Sequence, residues 1–536
     1  GLAIGSLAIT VEGAELGHWQ TAATITKALG GHRSGPRCDV VFPDSQRADQ
    51  AALLLQDCEE ELTNAEQVFG VHFPGRITAF FFHDAAEKKH FMGAADTYIA
   101  KPWRREVYLQ VHAYPHPVLG HEIAHVVAGV MGRGPFKIAG AAGGWWPNPG
   151  LIEGAAVAAS PDEEELSDAQ WGRAMLDLGI LPPMKRVFSL GFLGESSAKS
   201  YTLAGAFVRW VLAARGAEVV RRWYGGEDLA ALMGEDWDAL DRDFRASLAK
   251  EPLGPEAKAY AKARFDHPSV FGRKCPHVVD ALRHEADACR DGLRMDKAKG
   301  LYTEVLERDP HDWAARYSLG IVELRYGNAQ EGEASLEALG KTEGLPRTWH
   351  DRVGESLADA ALASDEPADW AKAAKRYDAL AARSVDEDQG RTLEVKRYGA
   401  EHAASGDGAR EALVALLIGT AHRPIDQDEG WARLAAWVAR TGDPVGEYVL
   451  GKNLTNHEFW REGAEHLDRA LQAGEPTVRI SRELLKQRAI CACAVGDVER
   501  AKAVGEKVVD PASPFVTSVG RREWLLAFLN RCDSRR

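Results

Sequence analysis

A short apolar segment that carries two histidines and a glutamate constrains this chain more than any other feature. Residues 118–130 are apolar or glycine except at His121, Glu122 and His125. On a helix, positions i and i+4 lie on one face, so both imidazoles can bind a single metal ion. Buried imidazoles and carboxylates are costly unless they are paired or bound to a metal. The segment predicts a buried helix with a metal site; the alternative is two structural histidines with a capping glutamate.

A catalytic zinc site needs a third protein ligand and one position left open for water. Glu153 follows His125 by 28 residues and is the one carboxylate of an apolar helix predicted over 151–159. We therefore predict one Zn²⁺ bound by His121, His125 and Glu153. The alternative for Glu153 is a carboxylate that interacts with the dipole at the start of its helix.

These motifs resemble the gluzincin metallopeptidases, in which a Leu-x-Glu-Gly-x-Ala segment follows the zinc helix in several families. The resemblance implies that His121, His125 and Glu153 bind zinc and that Glu122 is the general base. Residues 200–211 are similar to the gluzincin aminopeptidase segment whose tyrosine hydrogen-bonds the oxyanion. Tyr201 is the matching residue, and a core-packing tyrosine at a helix start is the alternative.

Two departures from that family limit what the resemblance implies. Thermolysin-like enzymes carry an aspartate four residues after the glutamate ligand, where this chain has Val157. The chain also lacks a matching amine-binding glutamate motif upstream, so the resemblance does not imply an aminopeptidase.

Short strands precede the histidine helix. Residues 77–82 are apolar and rich in aromatic side chains, which predicts a buried strand, and residues 106–111 alternate as a second strand. We expect the 106–111 strand to be the sheet edge that aligns an extended peptide. The glycine-rich segment 132–144 is expected to be a loop that covers the cleft.

The chain's 536 residues are too many for one core, which predicts several domains. We expect an N-terminal extension over 1–36, a membrane-proximal candidate because of its apolar start; a gluzincin-like domain of small sheet plus helices over 37–270; and an all-α domain over 275–536. The last resembles a degenerate tetratricopeptide-like solenoid, because the Ala298 and Tyr302 positions recur at Gly332 and Leu336, 34 residues later. A generic helical domain is the alternative.

The composition of the chain limits the kinds of partner that it can bind and the compartments in which it can lie. The formal net charge of −14 argues against nucleic acid, and the sequence has no apolar run of 18 residues that would span a membrane. Seven cysteines are too few for a disulfide scaffold, so we expect thiols, with a disulfide or two if the chain is exported. An extracytoplasmic or membrane-tethered location is favoured, and a cytoplasmic one stays open.

The function indicated is hydrolysis of peptide bonds by promoted-water attack. The substrate would be a peptide or protein, and the helical half would bind that substrate or a protein partner. One alternative is a non-catalytic tetratricopeptide-type binding scaffold with a structural or vestigial zinc domain. The other is a zinc hydrolase that acts on something other than peptides.

Overall fold

The computed structural model describes residues 20–265, 277–419, 424–474 and 476–533. The chain divides into two compact units. The first comprises Gly1–Pro252, Asn456–Trp460 and Ala489–Arg536, and the second Leu253–Thr455 and Arg461–Arg488. This division differs from the one expected from the sequence, which assigned everything after residue 275 to the helical half. Of the predicted N-terminal extension, residues 1–19 lie outside the described part.

Helices dominate the described residues. The strands are β1 (Gly30–Ser34), β2 (Cys38–Pro43), β3 (Ile77–Phe82), β4 (Ile99–Lys101), β5 (Glu106–Gln110), β6 (Gly140–Ala141) and β7 (Trp146–Pro147). The helices up to residue 265 are α1 (Ala22–Leu29), α2 (Ala48–Phe69), α3 (Ala85–Met92), α4 (Leu119–Ala128), α5 (Pro149–Ala159), α6 (Asp168–Asp177), α7 (Met184–Val187), α8 (Ser197–Arg215), α9 (Ala217–Tyr224), α10 (Leu229–Met233), α11 (Trp237–Leu248) and α12 (Pro255–Phe265). The later helices are α13 (His277–Asp291), α14 (Met295–Arg308), α15 (Trp313–Tyr326), α16 (Ala329–Gly340), α17 (Arg347–Ala363), α18 (Pro367–Arg383), α19 (Glu387–Glu401), α20 (Ala409–Leu417), α21 (Gln427–Thr441), α22 (Pro444–Asn456), α23 (Trp460–Ala473), α24 (Val478–Ala494), α25 (Val498–Val509) and α26 (Val519–Asp533).

In the part of the first unit that the structure describes, five strands form one mixed sheet in the order β1-β2-β3-β5-β4. The inner pairs β2–β3 and β3–β5 are parallel, and the outer strands β1 and β4 pair antiparallel. Strand β3 is central and almost wholly buried, as its apolar sequence predicts. The expectation that residues 106–111 form the sheet edge is wrong, because β5 pairs with β3 on one side and β4 on the other.

Close contacts fix α5 in the first unit. A Cβ atom on Gly154 would lie 2.7 Å from the carbonyl oxygen of Ala204, so α5 and α8 cross at near-backbone contact. The guanidinium of Arg209 on α8 donates to the carbonyls of Val157 and Ala158, which the end of a helix leaves without partners. Asn64 on α2 donates to the carbonyl of Ala159 at 2.9 Å. These bonds hold the C-terminal end of α5 from two neighbouring helices.

The first unit contains two disulfides within the described residues, Cys38–Cys58 and Cys493–Cys532. The expectation of thiols is therefore wrong for these four cysteines. Partners lie 20 and 39 residues apart in sequence, so no short spacing motif reveals either pair. The first bond joins β2 to α2, and the second joins the end of α24 to α26.

A buried cluster of carboxylates lies on α2, behind the histidine helix. The side chains of Asp57, Glu60 and Glu61 are all buried, and Arg531 of α26 reaches them, with its Nη2 atom 3.2 Å from Glu61 Oε1. Burial raises the pKa of the Asp57 carboxyl well above its usual range, and the charge of Glu61 raises it further. Arg531 therefore supplies the counter-charge in a place that water does not reach.

The described part of the second unit is a stack of helices without strands. Its cores are local: one lies among α13, α14 and α15, the next among α15, α16 and α17, and a third among α17 to α20. Gly320 lies against Leu336, and Gly451 lies against Leu467, at the same separation of 16 residues. The same close crossing of two successive helices therefore occurs twice in this unit.

The architecture agrees in general shape with the expected class, a small sheet with helices followed by an all-α region. Among the described residues, no helix combines the length and the hydropathy needed to cross a bilayer.

We expect Arg531→Leu to lower the free energy of unfolding by about 3–5 kcal/mol at neutral pH, because it leaves buried carboxylates without their cation. Urea denaturation followed by tryptophan fluorescence measures the change. Arg522→Leu, at a less buried position on the same helix, is the matched control and should cost no more than about 0.5 kcal/mol. Equal losses in the two variants would contradict the role given to Arg531.

Candidate functional site

The side chain of His116 stabilises the start of α4, the helix that carries the His-Glu-x-x-His motif. Its Nδ1 atom accepts hydrogen bonds from the backbone N–H groups of Val118 and Leu119, at 3.2 and 3.1 Å. Its Nε2 atom lies 2.9 Å from the carbonyl oxygen of Gln110 at the end of β5. Only a neutral imidazole with the proton on Nε2 makes both sets of bonds. His116 thus links the strand to the helix and lies outside the cleft.

The predicted ligand atoms converge on one point. The Nε2 atoms of His121 and His125 are 3.1 Å apart, and each lies 3.4 Å from Oε2 of Glu153. His121 and His125 come from successive turns of α4, and Glu153 comes from the first half of α5. The three side chains remain 11–22 % exposed, so solvent reaches the point where they meet.

These separations fit a zinc ion. Ligand atoms about 2.0–2.1 Å from a tetrahedral Zn²⁺ lie about 3.3 Å from one another, which is the spacing found here. Two imidazole nitrogens and a carboxylate are also the donor types that zinc accepts most readily. With three protein ligands, one tetrahedral position stays open. The residues present therefore fit the ion that the sequence predicts.

The charges around this point are strongly coupled. Burial favours the neutral form of Glu153, but hydrogen bonds from His121 and His125 and the charges of both rings hold the pKa of Glu153 well below its usual range. Burial disfavours the charged form of His125, yet the hydrogen bond and charge of Glu153 raise the pKa of that imidazole. The carboxylate thus creates a negative environment that attracts a cation.

Glu122, the predicted general base, is buried in the same cleft, one residue after the first ligand. Burial raises the pKa of its carboxyl, while the nearby rings of His125 and His121 oppose that rise. A carboxyl group buried beside the predicted ligands is placed to accept a proton and return it.

Tyr201 reaches the cleft from the first turn and a half of α8. Burial, together with the charge of nearby Glu153, raises the pKa of Tyr201 above its ordinary value. Val157, which stands where thermolysin-like enzymes have an aspartate, packs its methyl group against Gly205 instead. Tyr201 of the neighbouring helix α8 lines the same cleft as Glu153.

The cleft has a volume of about 500 Å³ and is lined by the five predicted residues together with β4 and the segment before it. The ammonium group of Lys88 holds that segment. Lys88 has no exposed surface and donates to the carbonyls of Ala94, Ala95 and Thr97. Burial lowers the pKa of Lys88, and the charges of Glu122 and Asp96 oppose this shift.

The structure brings together all five residues singled out from the sequence: His121, Glu122, His125, Glu153 and Tyr201. The sequence alone did not predict the structural roles of Lys88 and His116. Lys88 lies in a polar helix and looks like any surface lysine, and only the fold shows that its end is enclosed. His116 lies in a proline-rich turn, and only the fold shows that its ring accepts from the first backbone N–H groups of α4.

No protein-family model matches this chain, and no curated protein matches it significantly. The functional assignment therefore rests on the geometry of the site.

Protonation of His116 should destabilise the native state in acid. Burial lowers its pKa from the usual 6.5 to about 3, so the native state holds the ring neutral and stability is lost as pH falls below 6.5 toward 3. Between pH 6.5 and 4.5 we expect the parent to lose about 2–3 kcal/mol more than His116→Asn does. Urea unfolding across that range measures the free energy of unfolding of both proteins. Asp57 and His112 are present in both, so their contributions cancel when the two profiles are subtracted.

His83→Asn serves as the control for His116→Asn, because His83 is 71 % exposed and should leave the pH profile unchanged. Parallel profiles for the parent and His116→Asn would show that His116 is not held neutral.

Lys88→Met should make residues 94–101, which form one wall of the cleft, more mobile. The reason is that three backbone carbonyls lose the ammonium group that donates to all of them. We expect amide hydrogen exchange over residues 94–101 to become at least about tenfold faster, while α4 and α5 keep their protection. Mass spectrometry of deuterated peptides measures this change. Lys89→Met, at the exposed neighbouring position, should leave the exchange rates as they are. Unchanged exchange in Lys88→Met would rule out a role in holding this segment.

Proposed function

We propose that the chain is a zinc-dependent metallohydrolase of the gluzincin type, which cleaves peptide bonds. The observation that carries the proposal is the convergence of His121, His125 and Glu153 at the spacing of zinc ligands, with Glu122 buried in the same cleft. A structural zinc site has four protein ligands and no need for a carboxylate beside it. Three ligands together with a neighbouring acid favour catalysis over a structural or vestigial site.

The two histidines and Glu153 would hold one Zn²⁺. Zinc held there supplies Lewis-acid chemistry, which polarises a carbonyl group and makes water acidic enough to react near neutral pH. Glu122 takes a proton from the attacking water and gives it to the leaving amine. Lys88 stabilises the ionised form of Glu122, because its positive charge lowers the pKa of that carboxyl.

Tyr201 lies near the proposed ligand Glu153, and burial and the charge of that carboxylate raise the pKa of its hydroxyl. With substrate bound, the same hydroxyl is available to donate to the oxyanion that forms on the carbonyl oxygen, the role that the gluzincin resemblance implies.

A polypeptide is the substrate that the cleft fits best. Strand β4 lies at the edge of the sheet, and its residues Ile99 and Ala100 line the cleft beside His121 and Glu122. An extended chain can pair with the free side of this strand and bring a peptide bond to the site. We therefore assign to β4 the role that was expected of residues 106–111, the alignment of an extended peptide at the sheet edge. Hydrolysis of a different kind of acyl bond is the competing possibility, and the assay below separates the two.

The second unit supports a role in binding. We propose that it is a degenerate tetratricopeptide-like stack, because successive cores and the two matched glycine–leucine crossings indicate repeated helix pairs. Such stacks bind peptide segments of substrates or partners. We also propose an extracytoplasmic location, because two disulfides persist best in an oxidising compartment.

We expect Glu122→Gln to keep the metal and to lower peptide hydrolysis by a factor of about 10³, because the proton acceptor is lost while the ligands stay. The assay is digestion of a peptide library by the zinc-loaded protein with and without a chelator, read by mass spectrometry, with metal content measured by elemental analysis. A parallel set of ester and amide substrates tests acyl bonds outside peptides.

Glu218→Gln, at an exposed position on α9, is the control and should retain full activity and metal. His125→Ala should lose the metal. Cleavage of the library at the parent rate by the Glu122→Gln variant would exclude Glu122 as the base, and undiminished zinc in His125→Ala would exclude the site.

A further inference from the structure

Three exposed aromatic rings form a row that begins at the cleft. The aromatic row consists of Trp103, Phe136 and Trp145, which are 48, 39 and 66 % exposed. The ring centroids of Trp103 and Phe136 are 5.8 Å apart, and those of Phe136 and Trp145 are 5.7 Å apart, both edge to face. Trp103 also lines the cleft, so the row is continuous with the site of the ligands.

The glycine-rich segment 132–144, which carries Phe136 and leads into Trp145, is folded tightly on itself. A Cβ atom on Gly134 would lie 1.9 Å from the carbonyl oxygen of Gly143, and one on Gly140 would lie 2.2 Å from that of Trp146. Both glycines have positive φ angles, of 79° and 151°. The segment expected to cover the cleft contributes Ile138 to its wall, and these close contacts hold the two exposed rings in place. Exposed rings held in this way form an apolar surface suited to binding.

The spacing of the row matches an extended polypeptide. Side chains i and i+2 of a strand lie about 6.6 Å apart on one face, close to the two ring separations. Strand β4 leads through Pro102 directly to Trp103, so a chain paired along β4 continues over the row. We propose that the aromatic row is an extended subsite that binds apolar side chains at alternate residues of the polypeptide substrate. This inference rests on the proposed function and names the substrate class: extended chains with alternating apolar residues.

A peptide fits the row better than a bilayer does, although basic residues lie near it. The most exposed tryptophan, Trp146 at 69 %, makes no ring contact with the row among the described residues. A membrane would bind both exposed tryptophans, whereas a peptide that follows the row contacts Trp145 and does not contact Trp146. The two tryptophans therefore form a matched pair for a test.

The test compares Trp145→Ser with Trp146→Ser in the full chain. Two fluorogenic peptides of equal length and charge share one cleavage region and carry either leucine or serine at alternate flanking positions. We expect the zinc-loaded parent to prefer the leucine peptide by at least about tenfold in kcat/KM. Trp145→Ser should reduce this preference to about twofold, because it lowers kcat/KM for the leucine peptide far more than for the serine peptide. Trp146→Ser should keep the parent preference.

Binding is measured separately from cleavage, in the Glu122→Gln background. Fluorescence anisotropy of the labelled leucine peptide should show an affinity loss of about tenfold on adding Trp145→Ser and no loss on adding Trp146→Ser. If the parent cleaves nothing, the proposed function fails, and these affinities still decide the role of the row. Equal affinities in all three proteins would overturn the inference. So would binding to vesicles of neutral and anionic phospholipid that both tryptophan substitutions abolish, with peptide affinity unchanged.

Discussion

The crossing of α4 and α5 is the contact on which the rest of the site depends. Two of the proposed ligands belong to one helix and the third to the other, so a shift of an ångström between them would separate the donor atoms. The crossing is fixed at the level of the backbone. Gly120 lets α4 approach Glu61 and Ser160, Gly154 lets α5 approach α8, and Arg209 and Asn64 hold the carbonyls at the end of α5. Each of these contacts acts on the main chain, which positions the ligands independently of their own rotamers.

The convergence of His121, His125 and Glu153 could be predicted from the sequence because metal ligands are drawn from few residue types. Two histidines four apart in an apolar segment, and a lone carboxylate in the next apolar helix, have few explanations other than a shared ion. The central strand β3 could be predicted because five of its six residues are apolar, three of them phenylalanines, and such residues pack well in a buried sheet.

Other parts depend on contacts that a single sequence does not encode locally. Strand β4 has three residues and no alternation, so its place at the edge followed only from its pairing with β5. Lys88 and Arg531 look like ordinary surface cations until the fold encloses them. The disulfide between Cys493 and Cys532, and the grouping of α26 with the first unit, involve segments that lie far in sequence from the histidine motif.

The order of segments along the chain has a consequence for synthesis. A ribosome releases the proposed ligands early, but the cation that neutralises the acids behind them, Arg531, emerges only after the whole of the second unit. Until then, the buried carboxylates of α2 repel one another and the support of α4 is incomplete. A nascent polypeptide that lacks Arg531 would thus carry every proposed ligand without a firm platform for them. This order would delay a well-supported site until the segment that carries Arg531 has been made.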